Sequence, residues 1–367
     1  MTRTIRTFSL PPEGRGSRKL LGFSLVEVMV ALLIGMIGML VIMQVARTTE
    51  AQKRVTTGSG DAQNNAALAI YSVERHLKQA GYGFSSLEVI GCAMRIHDEV
   101  DDPMAPVSPK FVPVVINPPN AILPSGDAGA DTLLVIHGSS ASLPEGSLIV
   151  STESKPASLP GSSDQRFIGL ESVTDFREDE LVIAAPVGSS GSCELALLRI
   201  LDTDPSGYTI EVSTSPYGTP TEDRLLFNLG AEPKVVGYAV RGGNLTVCDY
   251  MLAECTDADD AGWIPVANGI ISLRAQYRWD TGAWNQTAPA KREDWAKISA
   301  VRIALLARNS EPDKENVTTA ALSWAGGSID PAALTDAPPP AGLTWQNYRY
   351  QVYETVVPLR NIPWMGS

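Results

Sequence analysis

The sequence is poor in the side chains from which most active sites are built. Among 367 residues only three are histidine and four are cysteine. It contains no Gly-x-Ser-x-Gly elbow, Walker loop, Gly-x-Gly-x-x-Gly fingerprint or His-Glu-x-x-His pair. None of its many serines is flagged by a nearby histidine and acid. These absences argue against the common hydrolase, nucleotide-binding and zinc-peptidase classes. Positive charge is also short: 29 Lys and Arg against 41 Asp and Glu give a formal net charge of −12 and a pI of about 4.8. A chain with that balance has no broadly basic surface for nucleic acid. There is no internal repeat. His76 falls on a charged helix face and reads as solvated, and His137 closes a strand. His97 opens an acidic stretch, to Asp102, that reads as a solvated loop.

The informative part stands near the start. Residues 18–43 read RKLLGFSLVEVMVALLIGMIGMLVIM. The basic pair Arg18 and Lys19 runs into an apolar stretch in which Glu27 is the only charge from Phe23 to Met43. A helix of about 20 apolar residues crosses a bilayer, and a carboxylate inside one is costly unless it is paired or has a function. Residues 1–22 hold Arg3, Arg6, Arg15, Arg18 and Lys19 against one acid, Glu13. That bias keeps the N-terminus cytoplasmic and predicts export of the C-terminal body. The apolar run exceeds the roughly 7 to 15 residues of a secretory signal, and no Ala-x-Ala-like site follows it.

Gly22-Phe23-Ser24-Leu25-Val26-Glu27 resembles the class III leader of type IV pilins and type II secretion pseudopilins. That leader joins a basic segment to a Gly at the cut, an apolar first mature residue and a Glu at the fifth. The resemblance implies that a prepilin peptidase cleaves after Gly22 and methylates the amine of Phe23. It also implies that Glu27 pairs with the N-terminal amine of a neighbouring subunit, which makes a carboxylate in hydrocarbon tolerable.

Three later stretches, with the close of the stalk, are similar to PilW-type minor pilins. Val266–Tyr277 with Asp280, Ile298–Arg308, and Tyr348–Asn361 look like that family's C-terminal strands, and Glu74–Tyr82 like the close of its stalk helix. Read singly, Arg302 and Arg360 are ordinary exposed charges. The resemblance implies a non-enzymatic protein of pilus assembly or initiation with no cofactor. Its implied partners are other minor pilins, the major pilin, the prepilin peptidase, the inner-membrane assembly platform and the membrane itself, without nucleic acid. Its implied location is the inner membrane, single-pass with a periplasmic head, then the pilus. A type II secretion pseudopilin of the J type and a tip adhesin are the alternatives. A membrane-anchored periplasmic enzyme is a further class, against which the missing motifs speak.

The expected fold is α+β and pilin-like, with a long N-terminal helix packed on a β-rich, mainly antiparallel head. The domains read as leader 1–22, transmembrane and stalk helix 23–80, and head 81–367. Residues 61–80 keep a helical period through Ala67, Leu68, Ile70, Tyr71, Leu77 and Ala80, and Gly81 is a natural stop. Thr56–Gly60 is a weak point, since glycine costs about 1 kcal/mol inside a helix. An unbroken helix 23–80 would be a rod of about 85 Å.

Beyond Gly81 strand-like runs alternate with turn residues. They fall at 132–137, 147–151, 181–184, 195–201, 208–212, 235–241, 244–248, 270–279, 298–307 and 348–359. Segments 102–129 and 310–343 read as long surface loops. The cysteines, Cys92, Cys193, Cys248 and Cys255, fall on the exported side, where disulfides persist. Three connectivities are open. The closeness of Cys248 and Cys255 favours that pair and leaves Cys92 with Cys193. Asp257, Asp259 and Asp260 with Gly262 form a weak calcium candidate without the full EF-hand register.

Overall fold

A computed structural model describes residues 22–96, 107–140, 145–155, 165–185, 193–213, 220–258, 261–334 and 339–362. Its first element, α1 (Leu25–Gln79), is one helix of 55 residues, and the suspected weak point Thr56–Gly60 is helical throughout. Glu27 lies in the first turn and Lys78 in the last, the signs that the helix dipole favours. The chain divides into two units at Thr56/Thr57, with α1 contributing to both.

In the first unit, Leu25–Arg47 has the length and composition of a membrane span, and none of it is buried. In the second, one stripe of α1 disappears into the head. Ala66, Ala69, Val73, Leu77 and Ala80 are each 0% exposed, at the three-and-four spacing of a single helix face. Leu77, Ala80 and the half-buried Ile70 keep to the expected inward face, and the rest of it is corrected. Leu68 and Tyr71 are 57% and 67% exposed, and Ala67 is exposed as well. Leu and Tyr carry more apolar surface than Ala, but small side chains let the helix backbone approach its neighbours.

Eighteen strands are described: β1 (Ala93–Arg95), β2 (Val114–Ile116), β3 (Leu133–His137), β4 (Ser147–Lys155), β5 (Gln165–Leu170), β6 (Leu181–Ala184), β7 (Glu194–Asp204), β8 (Thr209–Ser213), β9 (Leu225–Gly230), β10 (Lys234–Arg241), β11 (Asn244–Asp249), β12 (Ile264–Asn268), β13 (Ile270–Trp279), β14 (Trp284–Asn285), β15 (Ile298–Arg308), β16 (Leu322–Trp324), β17 (Gly327–Ile329) and β18 (Tyr350–Pro358). One sheet has the order β12-β11-β10-β3-β2 and another β14-β13-β15-β18. The supposed loops are therefore not bare: 102–129 contains β2, and 310–343 contains the β16–β17 hairpin. Three-residue strands are too short to show a period of two.

A buried carboxylate ties these two sheets together. Asp131, just before β3, is 4% exposed. It accepts from the backbone N–H of Ala275 on β13 at 3.0 Å, from Asn117 Nδ2 at 3.0 Å and from Gln286 Nε2 at 2.6 Å. Arg274 adds a contact at 3.5 Å.

The third sheet closes on itself. Its order is β1-β7-β6-β9-β4-β5-β8, and β7 also pairs with β8. Strands β4 to β9 thus form a six-stranded barrel, inserted between β3 and β10, which pair directly with His137 opposite Lys234. The alternation along β9 shows how the barrel sits. Leu226 points into the barrel core with Val182, Leu198, Ile210 and Val212. Phe227 and Leu229 point the other way, into the main core with Ile183 and Leu195. Strands buried on both faces read as continuous apolar runs, so LLFNLG carries no strand-like alternation. Among the described strands, the only parallel pair is β1 with β7.

Candidate functional site

Three regions carry the features singled out in the sequence. The first is the start of α1. Ser24 accepts from Val28 N–H at 3.1 Å and so opens the helix. Phe23 is 81% exposed and Glu27 is also exposed. A Cβ built on Gly22, Gly35 or Gly38 would meet nothing within 4 Å. Together they present an uncovered apolar helix with one acid in its first turn. The basic residues Arg18 and Lys19 lie outside the described residues.

The second region is the seam between α1 and the β2–β3–β10 side of the head. Tyr238 OH lies 2.9 Å from Ser72 Oγ. His76 Nδ1 lies 3.0 Å from His137 Nε2, and His137 Nδ1 lies 3.0 Å from the Gly138 carbonyl. A carbonyl only accepts, so His137 carries its proton on Nδ1 and receives one from His76 through Nε2. His76 is therefore not a solvated side chain, as its charged helical neighbours suggested. Burial, reinforced by His137 and Arg75, lowers its pKa to about 4, and burial likewise lowers that of His137. Nothing in the local sequence signals this pairing, because its halves stand 61 positions apart.

The seam ends in a cap made by the far end of the chain. Asn361 Nδ2 reaches the carbonyls of Gln79 and Ala80 at 3.3 Å and of Lys78 at 3.5 Å. These are last-turn groups with no partner inside the helix. Gly81 follows with φ +79°, and a Cβ there would stand 2.7 Å from the Asn361 carbonyl oxygen. The glycine that stops the stalk and the asparagine that follows β18 thus form one contact.

The third region is the sheet of β13, β15 and β18, where the distant C-terminal motifs become neighbours. β15 pairs with both of the others over nearly its whole length. Arg302 is not the exposed charge that it resembles locally. It is 9% exposed, donates to Gln276 Oε1 at 2.6 Å, and lies 4.3 Å and 5.3 Å from the ring centroids of Trp284 and Trp324. Arg360 is exposed.

The structure joins Cys92 to Cys193 and Cys248 to Cys255. Asp257 binds through its backbone, its carbonyl accepting from Trp263 Nε1 at 2.9 Å. Asp259, Asp260 and His97 lie outside the described residues. Among the described residues, no three His, Cys, Asp or Glu side chains cluster as a metal site.

Residues 18–43 match the prokaryotic N-terminal methylation motif. Residues 238–361 match the family described as type IV pilus-assembly protein W. No curated protein matches the chain. Among solved structures, a type IV-like pilin from Thermus thermophilus is similar at 13% identity, covering 82% of this chain and 96% of its own, with a TM-score of 0.33. The second match runs from β10 to the Asn361 cap and takes in the whole β13–β15–β18 sheet. The chain thus carries an N-terminal methylation motif at its head and a domain similar to type IV pilus-assembly protein W near its tail.

Proposed function

We propose that this protein primes pilus assembly in a complex with other minor pilins, through its α1 helix. The observation that carries the reading is the uncovered apolar stretch Leu25–Arg47 with Glu27 in its first turn, on a chain whose other end matches the pilus-assembly family. The leader directs insertion and holds the N-terminus in the cytoplasm, and the head stands in the periplasm. Prepilin peptidase cuts after Gly22 and methylates Phe23. The apolar helix waits in the inner membrane and then packs against the helices of the major pilin and other minor pilins. Gly35 and Gly38 allow close approach there. Glu27 sets the register by pairing with a neighbour's amine, which offsets the cost of a carboxylate in hydrocarbon. The work is assembly rather than catalysis. The match to the pilus-assembly family favours the pilus over type II secretion.

Two substitutions test this. Gly22→Val leaves a longer, uncut precursor visible on a gel; a normally sized mature chain would contradict the processing step. Glu27→Ala leaves membrane insertion intact but removes the protein from sheared filaments and lowers piliation. Normal piliation with this variant would refute the assembly role.

A further inference from the structure

The histidine pair has no part in the assembly steps proposed above, yet it joins the stalk to the head. His76 belongs to α1 and His137 to β3, and each presents its second nitrogen to different surroundings. His137 donates to its own chain at Gly138. His76 lines a groove of about 590 Å³ together with Arg75, Lys234, Asp249, Leu252 and Ile264. The groove brings solvent to a pair that is otherwise packed under Tyr238, whose ring stands edge-on to His76 at 6.0 Å.

The charged groups facing the pair come from each element around it. Arg75 stands on α1, Lys234 opens β10, and Asp249 ends β11. Among the described residues Asp249 is the carboxylate that acts on the pair, and Lys234 already holds it at 3.0 Å. One added proton can be shared along the His–His bond, but it brings a positive charge towards Arg75 and Lys234. A second proton sets N–H against N–H at a 3.0 Å spacing, and the bond is lost.

We propose that the His76–His137 bond is a pH-sensitive clasp that fixes the end of the stalk helix to the head near neutral pH and releases it in mild acid. The sign follows from linkage. Both groups are held neutral in the fold, so the unfolded chain binds more protons as pH drops below about 6.5. The clasp's contribution is complete above that value and fades as pH falls towards about 4, where His76 titrates in the fold. Release is local. The sheet of β13, β15 and β18 has no part in it, and Gly81 and Gly138 keep their backbone bonds to Ile136 and Tyr82.

Hydrogen exchange on the full mature chain in detergent, corrected for intrinsic rates, tests the clasp. Protection of Ser72–Gln79 is expected to fall at least ten-fold between pH 7.5 and 4.5, while β15 stays protected. The double variant His76→Gln/His137→Asn has no titrating ring at the seam and shows no such fall. Unchanged protection in the wild type, or the same fall in the double variant, overturns the proposal. Should the double variant not fold, histidine-labelled NMR of the wild type decides. Both rings are expected to be neutral at pH 6, and either ring protonated there overturns the clasp.

Discussion

Replacing Cys92 and Cys193 together by alanine lowers the stability of the head by about 4.7 kcal/mol, the chain-entropy value for a closed loop of roughly 100 residues. The bridge spans 101 positions and joins the segment before β1 to the mouth of β7. Beside it, β1 and β7 pair in parallel from Ala93 with Glu194, and Arg95 meets Glu194 at 3.1 Å. Without the bridge, those three residue pairs, the partly exposed ion pair and the packing of Leu195 in the main core hold this side of the barrel to the head. An exposed ion pair contributes at most about 1 kcal/mol. The Cys248–Cys255 bridge spans only seven positions, and its removal costs about 2 kcal/mol on the same relation. Urea unfolding of the two double variants measures both. Equal losses would show that loop closure does not set the scale.

Asp131→Ala is expected to destabilise the head by about 3–5 kcal/mol, the range for breaking a buried, multiply bonded charge. The loss is large because the partners stay behind. Ala275 N–H sits inside the β13 ladder, and a buried donor left unmade costs about 1–3 kcal/mol by itself. Asn117 and Gln286 lose an acceptor at the same moment. Asp131→Asn keeps one acceptor oxygen, so its effect falls between wild type and alanine. Thermal unfolding separates the three; an alanine variant within about 1 kcal/mol of wild type would mean that the network is relaxed by water.

Much of this protein was legible before its structure. β6, β13 and β15 are legible within a residue of their bounds, because each is an apolar-rich run set off from its polar flanks. The leader was legible for a different reason: Gly22, Phe23 and Glu27 are local, and their spacing alone carries the signal. What escaped was what distance hides. His76 looks solvated beside Glu74 and Lys78, since the partner that buries it lies on β3. Arg302 looks like a surface charge until Trp284 and Trp324 arrive from either side in sequence. The stalk's buried face is legible only in part: Leu77 and Ala80 are buried as expected, but Ala66, Ala69 and Val73 pack where the larger Leu68 and Tyr71 do not. Barrel closure was invisible, for a strand's pattern records which faces are covered and not whether the last strand meets the first.

The inserted barrel also bears on how far apart in sequence the head's paired strands stand. His137 and Lys234 are register partners separated by the whole insert, so their pairing has high contact order and would be slow from an open chain. Within the barrel many pairings are between neighbours, β4 with β5, β6 with β7 and β7 with β8, and Ser147 lies opposite Leu226 where β4 meets β9. The Ser139 N–H lies 2.7 Å from the Leu229 carbonyl, so the closed barrel holds the ends of β3 and β10 side by side. With the insert closed, the two strands stand to each other as the arms of a hairpin, and the loop that separates them in sequence is no separation in space.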